Sequence, residues 1–154
     1  MQMKPQKRTH PTEVPQLKVR DAMAKTVTSA KKSDKVIDVA RKMKQEDAGF
    51  IPVVEDGGTV IGVITDRDIV IRCIAEGHDP RGETAEHVMS KQVTIISPDD
   101  DIDEAGRKME REEIRRLAVA ENGRLVGVLS HGNLVQATKN KTAEKVTEGV
   151  TRGA

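Results

Sequence analysis

The middle of the chain contains a pattern of apolar and polar positions that occurs twice. In the first copy, apolar residues spaced at i, i+3, i+4 and i+7 mark one face of a helix. Two short apolar runs around an Asp-Gly-Gly turn follow, as is typical of a β-hairpin. The predicted elements are a strand around Val27 and Thr28, a helix with Val36, Val39, Ala40 and Met43 on its apolar face, a hairpin of Phe50–Val54 and Val60–Ile64, and a closing helix from about Arg67 to Glu76 that stops at Gly77.

The second copy repeats this order at an offset of 66 residues, which becomes 65 after the hairpin turn. Asp101 and Glu104 resemble a capping pair at the start of its first helix. The corresponding elements are a strand within Val93–Ile96, a helix with Ile102, Ala105, Gly106 and Met109 on its apolar face, and a hairpin of Leu117–Ala120 and Leu125–Leu129. Each copy therefore reads as a β-α-β-β-α unit, and the predicted fold is α/β in the mixed α+β sense.

A unit of roughly 55–60 residues has a small core and is marginally stable alone. We therefore expect the two repeats to pack on each other about a pseudo-two-fold axis, with a cleft on either side. Both ends of the chain are poor in large apolar residues and are expected to be flexible. The predicted boundaries are an N-terminal tail over 1–16, a first repeat over 17–78, a second repeat over 79–138 and a C-terminal tail over 139–154.

The composition excludes several classes of protein. The formal net charge is only +1 and Phe50 is the only Phe, Tyr or Trp, so nucleic-acid binding through net charge or base stacking is not expected. No apolar run of about 18 residues predicts a membrane span, and the polar N-terminus lacks the apolar block of a secretory signal. With one cysteine, Cys73, there is no internal disulfide. These features predict a cytoplasmic protein without nucleic-acid or membrane partners.

The segment from Gly62 to Ile69 is the first candidate site, because a strand ends there with a hydroxyl and an acid follows three residues later. One interpretation is a capping box, in which Thr65 accepts a hydrogen bond from the backbone of Asp68 and Asp68 reaches back. The other is a binding role, since a carboxylate at a cleft can accept hydrogen bonds from two vicinal hydroxyls such as those of a ribose. The residues alone leave both open.

Two adjacent arginines, Arg115 and Arg116, enter the predicted strand of the second repeat. They are either charges that protect an edge strand from aggregation or a fork that holds phosphate in the cleft. Their counterparts in the first repeat are Gly49 and Phe50, which offer phosphate no side-chain charge. This asymmetry favours a function in one cleft over the other.

No constellation of catalytic residues is evident. The four histidines are scattered, without an acid and a nucleophile at a recognisable spacing. The acidic run Asp99–Asp101 does not have the spacing of a calcium loop and is interpreted as a helix start. We therefore expect no enzyme activity, no metal site and no cofactor.

The repeated β-α-β-β-α unit, the Gly-Val-Ile-Thr-Asp-Arg-Asp-Ile segment and the Arg-Arg-Leu-Ala-Val strand together resemble a tandem pair of CBS (cystathionine β-synthase) domains, also called a Bateman module. The resemblance covers about 80% of the chain and extends to small stand-alone CBS-pair proteins. It implies a regulatory module that binds an adenosyl compound (AMP, ADP, ATP or a relative) between the repeats and reports energy or metabolite state to a partner. The residues it implies are Thr65 and Asp68 for ribose, Arg115 and Arg116 for phosphate, and Val63, Gln92, Val93, Thr94 and Ala118 for adenine.

The resemblance also implies a second, weaker cleft, in which Asn133 replaces the acid and neither arginine is expected. An uncharged adenosyl group suits it better than a nucleotide. Its expected residues are Val27, Thr28, Phe50, Pro52, Ser130 and Asn133. A homodimer is expected by the same resemblance, and the regulated partner is not identified by the sequence. The alternative function is a constitutive dimerising scaffold without a physiological ligand.

Overall fold

The first repeat forms one three-stranded sheet with its helices. The computed structural model describes the backbone of residues 16–152 and the side chains up to residue 142. The elements of the first repeat are α1 (Val19–Ala22), β1 (Ala30–Lys31), α2 (Val36–Glu46), β2 (Phe50–Val54), β3 (Val60–Thr65) and α3 (Asp66–Ile69), which continues as a π-helical turn over Val70–Ile74.

The second repeat has the same order of elements. They are α4 (Ala85–Val88), β4 (Ile95–Ile96), α5 (Ile102–Glu112), β5 (Arg116–Glu121), β6 (Arg124–Ser130) and α6 (His131–Arg152). This confirms the predicted repeat and the mixed α+β class. The apolar faces predicted for the two long core helices are confirmed as well, since α2 buries Val36, Val39 and Met43, and α5 buries Ile102, Ala105 and Met109.

In each sheet the middle strand is parallel to one neighbour and antiparallel to the other. β2 runs parallel to β1 and antiparallel to β3, and β5 is placed in the same way between β4 and β6. In the second hairpin, Asn122 and Gly123 have φ of 52° and 80°. Two successive residues with positive φ form the tight turn whose twist matches antiparallel strands, which explains why Asn-Gly stands there.

The first strand and the helix cap differ from their predictions. The strand expected at Val27 and Thr28 is wrong, because β1 lies at Ala30–Lys31, where Ala30 pairs with Val53. The capping pair expected at the start of α5 is also wrong. Asp101 makes no cap hydrogen bond, since its Oδ1 accepts instead from Lys18 Nζ at 2.7 Å, and Glu104 pairs with Arg107.

Helix α6 extends from His131 to Arg152 and so continues past residue 138, after which the C-terminal tail was predicted. The N-terminal tail falls almost wholly outside the described residues. No helix within residues 16–152 is both long enough and apolar enough to cross a membrane.

The first helix of each repeat packs in the core of the other repeat. Val19 of α1 is fully buried with Leu117, Val119 and other residues of the second sheet. Conversely, Ala85 and Val88 of α4 are fully buried in the first core. The spatial cores therefore cross the boundary predicted near residue 78, because each repeat gives its leading helix to its neighbour.

Two glycines allow this exchange. The chain after α4 crosses β3 at Gly62, where an added Cβ would lie 2.7 Å from Met89 Sδ and 2.9 Å from the carbonyl oxygen of Ser90. The chain after α1 crosses β6 at Gly127 in the same way, at 2.7 Å from Met23 Sδ and 2.9 Å from the carbonyl oxygen of Ala24. A side chain at either position would separate these backbones.

The two hairpins meet at the pseudo-two-fold axis. Thr59 forms an antiparallel bridge with Arg124, its own counterpart in the second repeat, and Val60 N–H donates to the Gly123 carbonyl at 3.0 Å. The expected packing of the repeats about such an axis thus leaves a cleft on each side.

The connection between the repeats is held by a carboxylate. Glu83, whose side chain is 9% exposed, contacts Nδ1 of His78 at 2.7 Å and Nδ1 of His87 at 2.5 Å, and accepts from Thr84 N–H at 3.0 Å. The Thr84 N–H, followed by the two imidazoles, lowers the pKa of the Glu83 carboxyl. The counterpart at the start of the first repeat is Leu17, which has no charge.

Candidate functional site

The larger of the two clefts has a volume of about 790 Å³ and lies between β3–α3 of the first repeat and the segments around residues 90–94 and 112–116 of the second. This is large enough for a nucleotide-sized ligand. Eight of the nine residues predicted for the site line this first cleft: Val63, Thr65, Asp68, Gln92, Val93, Thr94, Arg115 and Arg116.

Ala118 is the exception, because it does not line the cleft. Its side chain is fully buried within β5, between Ile95 of β4 and Val128 of β6. Successive side chains of a strand point to opposite faces, and Leu117–Ala120 are all buried, so both faces of β5 are covered along this stretch.

The capping interpretation of Thr65 and Asp68 is confirmed. Asp68 N–H donates to Thr65 Oγ1 at 3.2 Å, and Thr65 N–H donates to Asp68 Oδ2 at 2.9 Å. This does not exhaust the carboxylate, whose other oxygen, Oδ1, lies 4.0 Å from Arg72 Nε. The Asp68 side chain is 17% exposed and lines the cleft. A cap and a contact with ligand hydroxyls are therefore compatible.

Asp66 and Arg67 also line the first cleft, although the sequence interpretation did not single them out. Asp66 Oδ1 accepts from Arg67 N–H at 2.9 Å, and the Asp66 carboxylate occupies the space above Gly49, since a Cβ there would lie 2.5 Å from Asp66 Oδ2. The signal in the sequence that could have identified them is their position in the first turn of the helix that follows Thr65.

Three guanidinium groups line the first cleft, those of Arg67, Arg115 and Arg116. None has a carboxylate oxygen within 4.0 Å among the residues that the structure describes. Four carboxylates share the cleft, but three of them have partners of their own. Asp66 and Asp68 accept hydrogen bonds from backbone N–H groups, and Glu112 accepts one from the Thr94 hydroxyl. Within the described part of the chain, the three arginines that line the cleft therefore have no ion-pair partner.

The second cleft is smaller, with a volume of about 290 Å³. Its helix start repeats the cap of the first, because Asn133 N–H donates to Ser130 Oγ at 3.0 Å and Ser130 N–H donates to Asn133 Oδ1 at 3.1 Å. All six residues predicted for it line it: Val27, Thr28, Phe50, Pro52, Ser130 and Asn133.

Arg116 lines the second cleft as well as the first. The expectation that this cleft lacks both arginines is therefore wrong for Arg116. The reason lies in the register of the second sheet, where Arg116 at the start of β5 pairs with Ser130 at the end of β6, in the wall of the second cleft. The other charged residues that line it are Glu46 and Asp47.

Within the described part of the chain, no group of three or more His, Cys, Asp or Glu side chains is arranged to hold a metal ion. The thiol of Cys73 is fully buried, and burial raises its pKa. Neither observation adds a reactive group to the clefts.

Known proteins resemble this chain in sequence and in fold. CBS domain-containing protein YhcV of Bacillus subtilis is 35% identical over 126 residues, which are 81% of this chain and 89% of that protein. A crystal structure of Hypoxic Response Protein I with two coordinated zinc ions matches with a TM-score of 0.73 at 30% identity, over 78% of this chain and 98% of that one. A structure of CBSX2 in complex with AMP has a TM-score of 0.72 at 24% identity, over 81% of this chain and 98% of that one.

The family model for the CBS domain matches the chain twice, over residues 19–74 and 85–140. These two matches coincide with the two repeats that form the sheets and the walls of both clefts. The chain belongs to the CBS-domain family and is a tandem pair of its domains.

Proposed function

We propose that this chain is a non-enzymatic regulatory module that binds an adenine nucleotide in the first cleft and communicates its presence to a partner protein. The observation that carries the proposal is the placement of the partly exposed Asp68 carboxylate on the wall of one nucleotide-sized cleft, together with three arginines that have no carboxylate partner among the described residues. A phosphorylated nucleoside requires both an acceptor for its ribose hydroxyls and donors for its phosphate.

The ribose end is assigned to Thr65 and Asp68. Because Oδ2 of Asp68 is engaged by Thr65 N–H, the hydroxyls would bind Oδ1. The cap fixes the rotamer of this carboxylate before any ligand arrives, which reduces the entropy that binding must remove.

The phosphate end is assigned to Arg115 and Arg116, with Arg67 nearby. Arg115 is exposed and Arg116 half-buried. Guanidinium groups form paired hydrogen bonds to phosphate oxygens, and these bonds are stronger than those between neutral groups. The half-buried position of Arg116 shields part of this interaction from salt.

The purine is assigned to the space between these ends, against Val63 and Val93 and the backbone of Gln92 and Thr94. CBSX2, whose fold this chain shares, contains AMP in its structure, which is a ligand of the proposed class. No metal or cofactor is part of the proposal.

Self-association is part of the proposed function. The π-helical turn after α3 exposes Val70, Ile71 and Ile74, each about half exposed at 55%, 49% and 54%. Contiguous exposed apolar side chains of this kind are typical of interaction surfaces. We propose that they support a homodimer.

Calorimetric titration of AMP and adenosine into the wild type and two variants tests the ligand. Asp68→Asn keeps the oxygen that caps the helix, as Asn133 does in the second repeat, but removes the charge. We expect it to weaken both ligands by about tenfold, the equivalent of about 1.5 kcal/mol. Arg115→Gln should weaken AMP by a similar factor and leave adenosine unchanged, because adenosine has no phosphate.

Arg107→Gln is the matched control, since Arg107 lies on α5 and pairs with Glu104 outside the cleft. It removes one positive charge without altering the site. Light scattering of the same samples reports the dimer. A wild type that binds no adenine compound at millimolar concentration would favour the alternative of a constitutive scaffold.

A further inference from the structure

Arg116 and Phe50 are the two residues that line both clefts within the described part of the chain. They occupy equivalent positions in the two repeats, at the starts of β5 and β2. Each therefore stands where the two clefts approach each other. Phe50 contributes an apolar surface to both, whereas Arg116 contributes a charge that one anion at a time can engage.

The side chain of Arg116 is free to serve either cleft. No carboxylate among the described residues lies within ion-pair distance of it, and none of its guanidinium nitrogens donates a hydrogen bond to those residues. Its backbone pairs with Ser130 in the wall of the second cleft, and the preceding residues 112–115 line the first. A long side chain with five donors at this position can turn to either side.

The two clefts depend on this charge to different degrees. The first also has Arg67 and Arg115, so it retains cations when Arg116 turns away. In the second, Arg116 is the sole cation among the lining residues and is accompanied by Glu46 and Asp47. Without Arg116, the charges on the wall of the second cleft are both negative.

We propose, on the basis of the proposed function, that Arg116 is shared between the clefts and makes their anionic ligands compete. A nucleotide in the first cleft engages Arg116, and the second cleft then disfavours phosphate and accepts uncharged or cationic nucleosides. The effect is reciprocal, because a coupling between two sites acts equally in both directions.

The test compares the two clefts one at a time. The equivalent residues Thr94 and Thr28 line the first and the second cleft respectively, so Thr94→Trp fills one and Thr28→Trp fills the other. AMP is titrated into each blocked protein with and without Arg116→Gln. We expect Arg116→Gln to weaken AMP by about tenfold where the first cleft is open, and by more where only the second is open, because no other lining residue of the second cleft is a cation. Arg115→Gln, the matched control, should weaken AMP only where the first cleft is open.

Methyl NMR of the unblocked protein provides a second measurement that needs no bulky substitution. Val63 and Val93 report the first cleft, and Val27 and Val128 report the second. We expect AMP to fill the first cleft first. The affinity of the second step should be the same, within twofold, in the wild type and in Arg116→Gln, because Arg116 is already engaged. Adenosine should fill both clefts with affinities that Arg116→Gln leaves unchanged.

The outcomes separate the two proposals. If Arg116→Gln weakens AMP in only one of the blocked proteins, the shared arginine is overturned and nucleotide binding stands. If the second AMP step weakens in the unblocked Arg116→Gln protein, competition is overturned. If the wild type binds neither AMP nor adenosine, both the proposed function and this inference are overturned.

Discussion

The two clefts of this protein are built on the same backbone but carry different charges. Both have a hydroxyl at the last position of a strand that caps the following helix, Thr65 in the first and Ser130 in the second. The acid of the first cap, Asp68, is replaced by Asn133 in the second. The lesson is that an acid and an amide both cap the helix. The residue three positions after the hydroxyl can therefore differ between the clefts and determine which ligand binds.

A second difference concerns the space at the start of the middle strand. Gly49 leaves room for the Asp66 carboxylate, and the equivalent pair in the second repeat is Arg115 with His131. In both repeats the same backbone hydrogen bond joins these positions, at 3.1 Å from Asp66 N–H to the Gly49 carbonyl and at 2.7 Å from His131 N–H to the Arg115 carbonyl. The hydrogen-bonded frame is common to the repeats, and side-chain charge is what differs.

The largest expected effect tests whether the two backbone crossings, at Gly62 and at Gly127, contribute equally to stability. Gly62→Ala and Gly127→Ala each place a Cβ at 2.9 Å from a backbone carbonyl, so the crossing segment must shift. We expect each substitution to lower the free energy of unfolding by about 1–3 kcal/mol, and by similar amounts, as is usual for overpacking. Chemical denaturation measures both values.

Gly106→Ala is the control for these glycines. Gly106 lies in α5, where an added Cβ meets nothing closer than Leu134 Cδ1 at 3.7 Å, and the first repeat has Ala40 at this position. It should raise the free energy of unfolding by about 0.5–1 kcal/mol, because alanine favours the helix. A destabilised Gly62→Ala beside a neutral Gly127→Ala would contradict the equivalence of the two crossings.

A smaller effect is expected when the acid of the first cleft is copied into the second. Asn133→Asp keeps Oδ1 as the acceptor for Ser130 N–H and adds a charged oxygen. We expect adenosine to bind the second cleft about fivefold more tightly, the equivalent of about 1 kcal/mol, because hydrogen bonds to charged acceptors are stronger. The Val27 methyl signal measures this. The gain should vanish for 2′,3′-dideoxyadenosine, which has no ribose hydroxyls, and a gain that persists would exclude hydroxyl recognition by residue 133.

The smallest effect concerns the segments that lead into the two repeats, where Glu83 stands in one and Leu17 in the other. Because folding lowers the pKa of Glu83, its ionised form stabilises the fold above its ordinary pKa, and this contribution is lost as the pH falls through the lowered pKa. Glu83→Gln should therefore be less stable than the wild type at pH 7, and the difference should narrow in acid.

Thermal unfolding at a series of pH values measures this difference. Glu86→Gln, at an exposed position on α4, is the matched control and should behave as the wild type does. A difference between Glu83→Gln and the wild type that does not change with pH would assign the role of Glu83 to packing rather than charge.

The sequence predicted the parts of the fold that local patterns determine. The helix faces and both hairpins follow from spacing and turn residues, and the Thr65 cap follows from its motif. Strand β1 was misplaced because it has two residues and exists only through its parallel pairing with β2. No local pattern encodes such a long-range contact, and the same reason explains why the exchange of α1 and α4 was not foreseen.

The candidate site was likewise predicted from the sequence only in part. The resemblance assigned Asp68, Thr94 and Arg115 to one cleft, and all three line that cleft in the structure. Ala118 was misassigned because its burial depends on the packing of both faces of β5, where Leu117–Ala120 are all buried. Arg116 also lines the second cleft because it pairs with Ser130. The sequence did not predict this, since the register across a sheet is set by the whole fold.

The exchanged leading helices have a consequence for the ancestry of the fold. Two separate copies of a single repeat, each inserting its first helix into the other, would make the same core contacts that Val19 and Val88 make here. The present chain is thus the covalent equivalent of a domain-swapped dimer. Its linker replaces a bimolecular encounter by a high effective concentration. A gene duplication joining two such copies preserves every core contact, after which each cleft can acquire its own residues.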